Sequence, residues 1–369
     1  MTTKSIYSRA PTRLDLAGGT LDIWPLYLFL KKPLTVNLAV NLYAETRLET
    51  TTSINTPAIT LISEDQRASI SFPTRTLEEA DDNLSLPPAL NLHLKLLRHF
   101  AANKNIKHLL SKSDLRITTN ASSPAGAGLG GSSSLGISIA GALSVLTDEG
   151  IRMVNDHDEK LIAIVRDVES SVIQVPAGLQ DYYAAMFGGL QLLEFMPGSV
   201  NRKSLPWATT NEIAKRLLLF YSGQSRNSGI NNWVIFKQFI DNENNTRGNF
   251  TNIAKAASEL ASALKKPDWP ATGAAIEHEW STRKKLAPEI TTKDIDNAFS
   301  VARRLAPMSG KICGAGGGGC FFLFLYGEDD ESVIIKNKIA IQKTLKGIGI
   351  CPIPFEPDKT GLEVRVTSE

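Results

Sequence analysis

Hydrophobic residues change period along this chain, and the changes mark out its elements. Leu34, Val36, Leu38, Val40 and Leu42 alternate with mostly polar residues, the period of a half-buried strand. Residues 6–16 read as an opening strand, and residues 58–62 and 69–72 as shorter strands of the same sheet. Behind Pro87 and Pro88, the spacing of Leu90, Leu94, Leu97 and Phe100 predicts a helix. Residues 115–119 predict a strand, and Leu135, Ile139, Leu143 and Leu146 a helix that Gly150 stops. Leu161, Ile162, Val165 and Val168 share one face, so residues 151–169 read as a single further helix.

Gly188 and Gly189 break the chain before a strand at 190–195. The polar stretch 197–210 reads as the boundary between two domains, 1–205 and 206–369. Beyond it the pattern predicts a strand at 217–221 and a solvated loop over DNENNTRGN. Helices are predicted around 253–264, 274–286 and 333–345. A second glycine loop, KICGAGGGGC, runs into an apolar strand, and residues 362–366 read as a closing strand. No internal repeat or long low-complexity tract breaks the order.

Composition narrows the class. A chain of 369 residues suits two domains. Lys plus Arg number 40 against 38 for Asp plus Glu, a balance that gives no support to a nucleic-acid or membrane-surface role. The three cysteines, Cys313, Cys320 and Cys351, lack CxxC spacing. That argues for a reducing compartment and against structural zinc. His93, His99, His108, His157 and His278 are scattered without ligand spacing. The N-terminus has no apolar signal core and no apolar run is long enough to span a bilayer. The expectation is a soluble cytoplasmic protein, monomeric or homodimeric.

The chemistry concentrates in SSPAGAGLGGSSS, which begins at Ser122. Pro124, Gly126, Gly128, Gly130 and Gly131 precede three hydroxyls, Ser132, Ser133 and Ser134. Glycines let backbone amides converge without Cβ clash, and a helix N-terminus adds partial positive charge. Together they make an anion site suited to phosphate. A flexible connector is a poorer reading, because it need not run into an apolar helix. Gly126, Gly128 and Gly131 spell GxGxxG, but a dinucleotide fold needs a strand after the helix, and a second helix is predicted there. No Gly-Lys is followed by Ser or Thr, so a P-loop is absent.

Three separated motifs agree in order: PTRLDLAGGTLD, SSPAGAGLGGSSS and KICGAGGGGC. The set resembles the GHMP kinases, which include galactokinase, homoserine kinase, mevalonate kinase and phosphomevalonate kinase. The resemblance runs from Arg9 to about Leu325. It implies an α+β fold of two domains, an N-terminal ribosomal-protein-S5-domain-2-like domain and a ferredoxin-like C-terminal domain, with the active site between them. AGGTLD, GLQDYYAAMFGG, LLLFYSGQSRNSG and SGKICGAGGGG look most like the heptose 7-phosphate kinase type of sugar kinase. Asp15 and the run Thr20-Leu21-Asp22 depart from that type in the sugar-facing motif.

The resemblance implies ATP and Mg²⁺ as cofactors and a small-molecule sugar or sugar phosphate as partner. Pro124, Gly126, Gly128, Leu129, Gly130, Gly131 and the three serines would cradle phosphate. Ser132 and Glu169 would ligate the metal, Glu169 lying twelve residues before Asp181 as in the family (181 − 169 = 12). Asp181 is the implied base, and Arg13 a cation that steadies charge or lowers the base's pKa. Asp22, Gly18, Gly19 and Tyr182 are expected at the sugar, where Trp24 could also stack. Arg226 and Lys311, beside motifs at the cleft, are candidates for a substrate phosphate, with Arg283 a weaker third. Gly316 and Gly317 are expected to approach the substrate closely. A catalytically lost sensor and a mevalonate-pathway enzyme are the competing readings; the retained Asp181, Glu169 and Ser132 favour a kinase of heptose 7-phosphate or of a free galactose- or fucose-like sugar.

Overall fold

A computed structural model describes residues 3–78, 85–224, 228–314, 316–327 and 330–368. The chain opens with strands β1 (Thr3–Ala17), β2 (Leu34–Thr52), β3 (Ala58–Ser63) and β4 (Ala68–Pro73). Helices α1 (Asn91–Ala101) and α2 (Lys104–Leu110) lead to β5 (Ser113–Ala121). Next come α3 (Gly131–Ser144), α4 (Asp148–Asn155), α5 (Glu159–Ile173) and α6 (Gln180–Phe187), then the hairpin β6 (Leu190–Met196) and β7 (Ser199–Ser204). The second half holds α7 (Trp207–Arg216), β8 (Leu217–Tyr221), α8 (Ser228–Asp241), α9 (Thr246–Lys265), α10 (Trp269–Arg283) and α11 (Lys293–Arg303). It closes with β9 (Met308–Ile312), β10 (Cys320–Leu325), α12 (Glu331–Gly347), β11 (Cys351–Ile353) and β12 (Glu363–Ser368).

Two sheets result, and the fold is α+β. The first has eight strands in the order β12-β1-β2-β5-β3-β4, with β6 against the first half of β2 and β7 against β6. The second is an antiparallel sheet of four strands, β11-β8-β10-β9. The closing strand β12 returns to the first sheet, where Ile6 faces Val366.

The second sheet and the part of the first around the end of β1, the start of β2 and β6 are covered on two faces, while β3, β4 and β5 are buried on one. In β10, Phe321, Leu323 and Leu325 pack with Trp280 and Phe299, while Phe322 and Phe324 pack with Leu38, Leu260 and Ile276. A strand buried on both faces needs an unbroken apolar run, and CFFLFL supplies one. In the first sheet, Ile6, Leu48, Ile59 and Ile117 bury against α1, α3, α5 and α6. Leu14, Leu16, Val36, Leu38 and Val40 bury toward the second half instead. One apolar core therefore joins the halves, and the seam between them is fixed by packing.

Several expectations need correction. Gly150 does not end the helix: α3 stops at Ser144, and Gly150 lies inside α4, where Ser144 O leaves no room for a Cβ. Residues 151–169 are not one helix. His157 takes a φ of +50°, and Asp158 then caps a new helix by accepting from Lys160 N. DNENNTRGN is only partly a loop, because α9 begins at Thr246. Among the described residues no helix is long and apolar enough to cross a membrane.

Candidate active site

The glycine loop ends where Gly130, at φ +74°, turns the chain into α3. That helix has no side-chain cap and no acidic residue in its first turn. Its first N–H groups therefore lack an intrahelical acceptor, which suits them to an anion. Ser134 and Ser138 fix the helix in place, donating to Pro11 O at 2.8 Å and Ser8 O at 3.1 Å on β1. This corrects the expectation for Ser134: its hydroxyl holds α3 to the sheet and is absent from the cleft wall.

The helix start opens into a cleft of about 410 Å³. Pro124, Gly126, Gly128, Leu129, Gly130, Gly131, Ser132 and Ser133 line its middle. One end is walled by Ser63, Asp65, Gln66, Pro88 and Leu92, none of which a sequence motif singles out. The other end holds Arg13, Asp15, Gly19, Thr20, Asp22, Gln180 and Asp181. Gln180 shares the GLQD turn with Asp181, a signal the motif reading left unused.

Arg13 is the knot of this end. Its Nε and Nη2 both lie 2.7 Å from Asp181 Oδ1. Its Nη1 donates to Gly128 O at 2.5 Å and to Cys313 O at 3.1 Å. One side chain thus ties β1, both glycine loops and α6. The loops touch directly: Cys320 N donates to Ala127 O at 2.7 Å, and a Cβ on Gly128 would lie 2.8 Å from Cys313 O. Asp181 Oδ2 takes no part in the Arg13 pair and lies 3.0 Å from where a Gly130 Cβ would stand. Burial raises the Asp181 pKa, and Arg13 opposes that rise without cancelling it.

Asp22 accepts from Gln180 N at 2.9 Å. Burial, with Asp181 adding like charge, pushes its pKa up from 3.8 to about 6. Glu169, on α5, accepts from Ser133 Oγ at 2.9 Å and Tyr182 Oη at 2.6 Å. Burial raises its pKa against the donors Tyr182, Ser132 and Ser133. Ser132 is exposed on the first turn of α3 beside it.

Other expected residues stand elsewhere. Tyr182 is fully buried in the core, its hydroxyl spent on Glu169, so it does not stack on a ligand. Trp24 is 60% exposed and off the cleft wall. Lys311 is fully buried and paired with Asp15, so it is no surface cation. Gly18 packs against Leu34 O. Gly317 N donates to Ile290 O at 2.8 Å, and Gly316 also packs on Ile290; of the third motif Gly314 reaches the cleft. Arg226 lies outside the described residues.

Residues 91–189 match the model for the GHMP kinases N terminal domain, and residues 260–339 that for GHMP kinases C terminal. A D-glycero-alpha-D-manno-heptose 7-phosphate kinase of Campylobacter jejuni is 24% identical over 331 residues, 87% of this chain and 90% of that protein. An L-fucokinase/L-fucose-1-P guanylyltransferase of Bacteroides fragilis is 24% identical over 365 residues, 90% of this chain and 36% of that larger protein. The crystal structure of a D-glycero-D-manno-heptose 1-phosphate kinase from Bacteroides thetaiotaomicron superposes with a TM-score of 0.70, at 21% identity and 98% coverage of both chains. Residues 91–189 and 260–339 thus carry the GHMP kinase N- and C-terminal domains in order, on a fold shared with that kinase structure.

Proposed function

We propose that this protein is an ATP-dependent kinase that transfers the γ-phosphate to a hydroxyl of a sugar or sugar phosphate, with the anomeric hydroxyl of a heptose 7-phosphate as the best match. The observation that carries the reading is the meeting of Asp181 with the uncapped start of α3 in one cleft. A base and a phosphate cradle then stand a side chain apart, the positioning that phosphoryl transfer requires. Asp181 Oδ2 would accept the proton of the attacking hydroxyl. Arg13 holds the other oxygen and keeps the carboxylate aimed. The backbone of the α3 first turn would hold phosphate oxygens.

The donor set at Ser132 and Glu169 fits a magnesium ion, which favours hard oxygens and takes few of them from protein. Bound there, the ion would neutralise phosphate charge. The proposal includes a cytoplasmic location and a monomer or homodimer. A free fucose- or galactose-like sugar is the second reading, favoured by the fucokinase likeness and by the acceptor-rich sugar end of the cleft.

The test is sugar-dependent ADP release with MgATP across heptose 7-phosphate, L-fucose, D-galactose and mevalonate, with products identified by phosphorus NMR. A phosphorylated sugar supports the reading. Sugar binding without ADP would make the protein a sensor, and turnover of mevalonate alone would move it to another branch of the family.

A further inference from the structure

Among the described residues, the cations around the sugar end of the cleft are all committed. Arg13 serves Asp181 and two carbonyls. Arg283, on α10, donates to Glu279 at 2.6 and 2.9 Å and to Gly19 O at 2.8 Å. Lys311, on β9, donates to Asp15 Oδ2 at 2.7 Å and Asp15 O at 2.9 Å, with Glu279 at 3.7 Å. The Lys311–Asp15 pair crosses between the two halves of the chain, and Asp15 is 1% exposed.

What this end offers a ligand is therefore acceptors. Asp15 Oδ1 and Gln180 Oε1 are buried, and neither has a partner among the described residues. Both side chains line the cleft and converge over Gly19, where a Cβ would lie 2.2 Å from Asp15 Oδ2 and 3.2 Å from Gln180 Nε2. Buried acceptors are costly without donors, so their presence in a cleft wall calls for a donor from outside. A phosphate brings only acceptors and negative charge at neutral pH, and Asp15, Asp22 and Asp181 would repel it. A sugar hydroxyl brings a donor.

We propose that Asp15 is a specificity-determining residue: held by Lys311 through Oδ2, it accepts through Oδ1 a hydrogen bond from a sugar hydroxyl beside the reacting one, with Gln180 Oε1 as a second acceptor. This end of the cleft thus selects an uncharged, hydroxylated edge, and a phosphate already on the substrate points away from it. Lys311 is a positioning residue and does not touch substrate. The inference rests on the kinase reading of the same cleft.

The experiment compares wild type with Asp15→Asn and with the double variant Asp15→Leu/Lys311→Met. The double variant removes both charges, so no buried ion is left unpaired. Binding of heptose 7-phosphate, L-fucose and D-galactose is read by calorimetry, and turnover with MgATP in parallel. For the sugar that wild type binds best, Kd and KM should rise about 10- to 100-fold in the double variant, while KM for ATP holds. Asp15→Asn, which puts a donor where the acceptor stood, should lose sugar affinity by about 10-fold, and it decides the matter if the double variant does not fold. Unchanged sugar affinity in a folded variant overturns the proposal, as does an equal loss for ATP and sugar, which would mark a merely structural tie. A wild type that binds sugar without turning it over would overturn the kinase reading, and the affinity comparison would still decide this one.

Discussion

Arg13 Nε and Nη2 both stand 2.7 Å from one oxygen of Asp181, Oδ1, and leave Oδ2 outside the pair. A guanidinium is always charged and holds its fork rigid, so the unpaired oxygen is kept at a fixed place. Arg13→Met leaves Asp181 and the Gly128 and Cys313 carbonyls without their donor. The expected loss of stability is about 3 kcal/mol, with a steep fall in kcat. Lysine restores the charge without the fork, so Arg13→Lys should recover part of the stability and little of the turnover. Denaturant unfolding beside kcat checks this, and a fully active Arg13→Lys would show that the fork is unneeded.

Gly130 is expected to resist any side chain. Its φ of +74° strains an L-residue, and a Cβ would sit 3.0 Å from Asp181 Oδ2. Gly130→Ala should cost about 1–2 kcal/mol in stability and lower kcat more than it raises KM for ATP, because the methyl presses on the base. Steady-state kinetics with ATP varied separately from sugar would show the split. A KM effect alone would mean that the cradle, and not the base, is disturbed.

Asp22 sets a pH dependence of stability. Its folded pKa of about 6 lies above the ordinary 3.8, so the folded state holds the proton more tightly than the unfolded state. The contribution is complete below pH 3.8 and is lost as pH rises through 6. Asp22→Asn removes that loss. The variant should exceed wild type by on the order of 2–3 kcal/mol at pH 7, and the gap should close as pH falls toward 4. Its activity should drop, since an ionised acceptor in the cleft is gone. Thermal unfolding of both proteins from pH 4 to 8 measures the gap, and parallel curves would contradict the assignment.

The metal proposal makes a separate claim. Ser132→Ala and Glu169→Gln each weaken one proposed oxygen ligand, so both should raise the Mg²⁺ concentration for half-maximal activity. Glu169→Gln should raise it more, by about 10-fold or greater, because it removes charge as well. Magnesium titrations that overlay wild type would place the ion elsewhere.

Much of this site was legible because its signals are local. The glycine loop, the helix behind it and the apolar run of β10 each state their structure in a few consecutive residues. Pairings across the fold are a different matter. Lys311 and Asp15 are 296 residues apart, and nothing near KICGAG says that the ammonium turns inward. Tyr182 adjoins Asp181, yet successive residues on a helix point about 100° apart, so one faces the cleft and the other the core. The same rotation separates exposed Ser132 from Ser134, which reaches back to β1. Helices α8 and α11 escaped because the reading gave their stretches no periodic weight. The break at His157 needed a left-handed residue that no glycine advertised. β12 joins the first sheet only because packing brings the end of the chain back beside β1.

The central claim is that Asp181 performs the proton transfer in a cleft already built to hold both substrates. Single-turnover phosphorylation by Asp181→Asn tests it most directly, with ATP and sugar binding measured on the same preparation. The account predicts binding of both ligands within a few-fold of wild type and a rate lowered by about 10²- to 10⁴-fold. Transfer at the wild-type rate in the folded variant would contradict it.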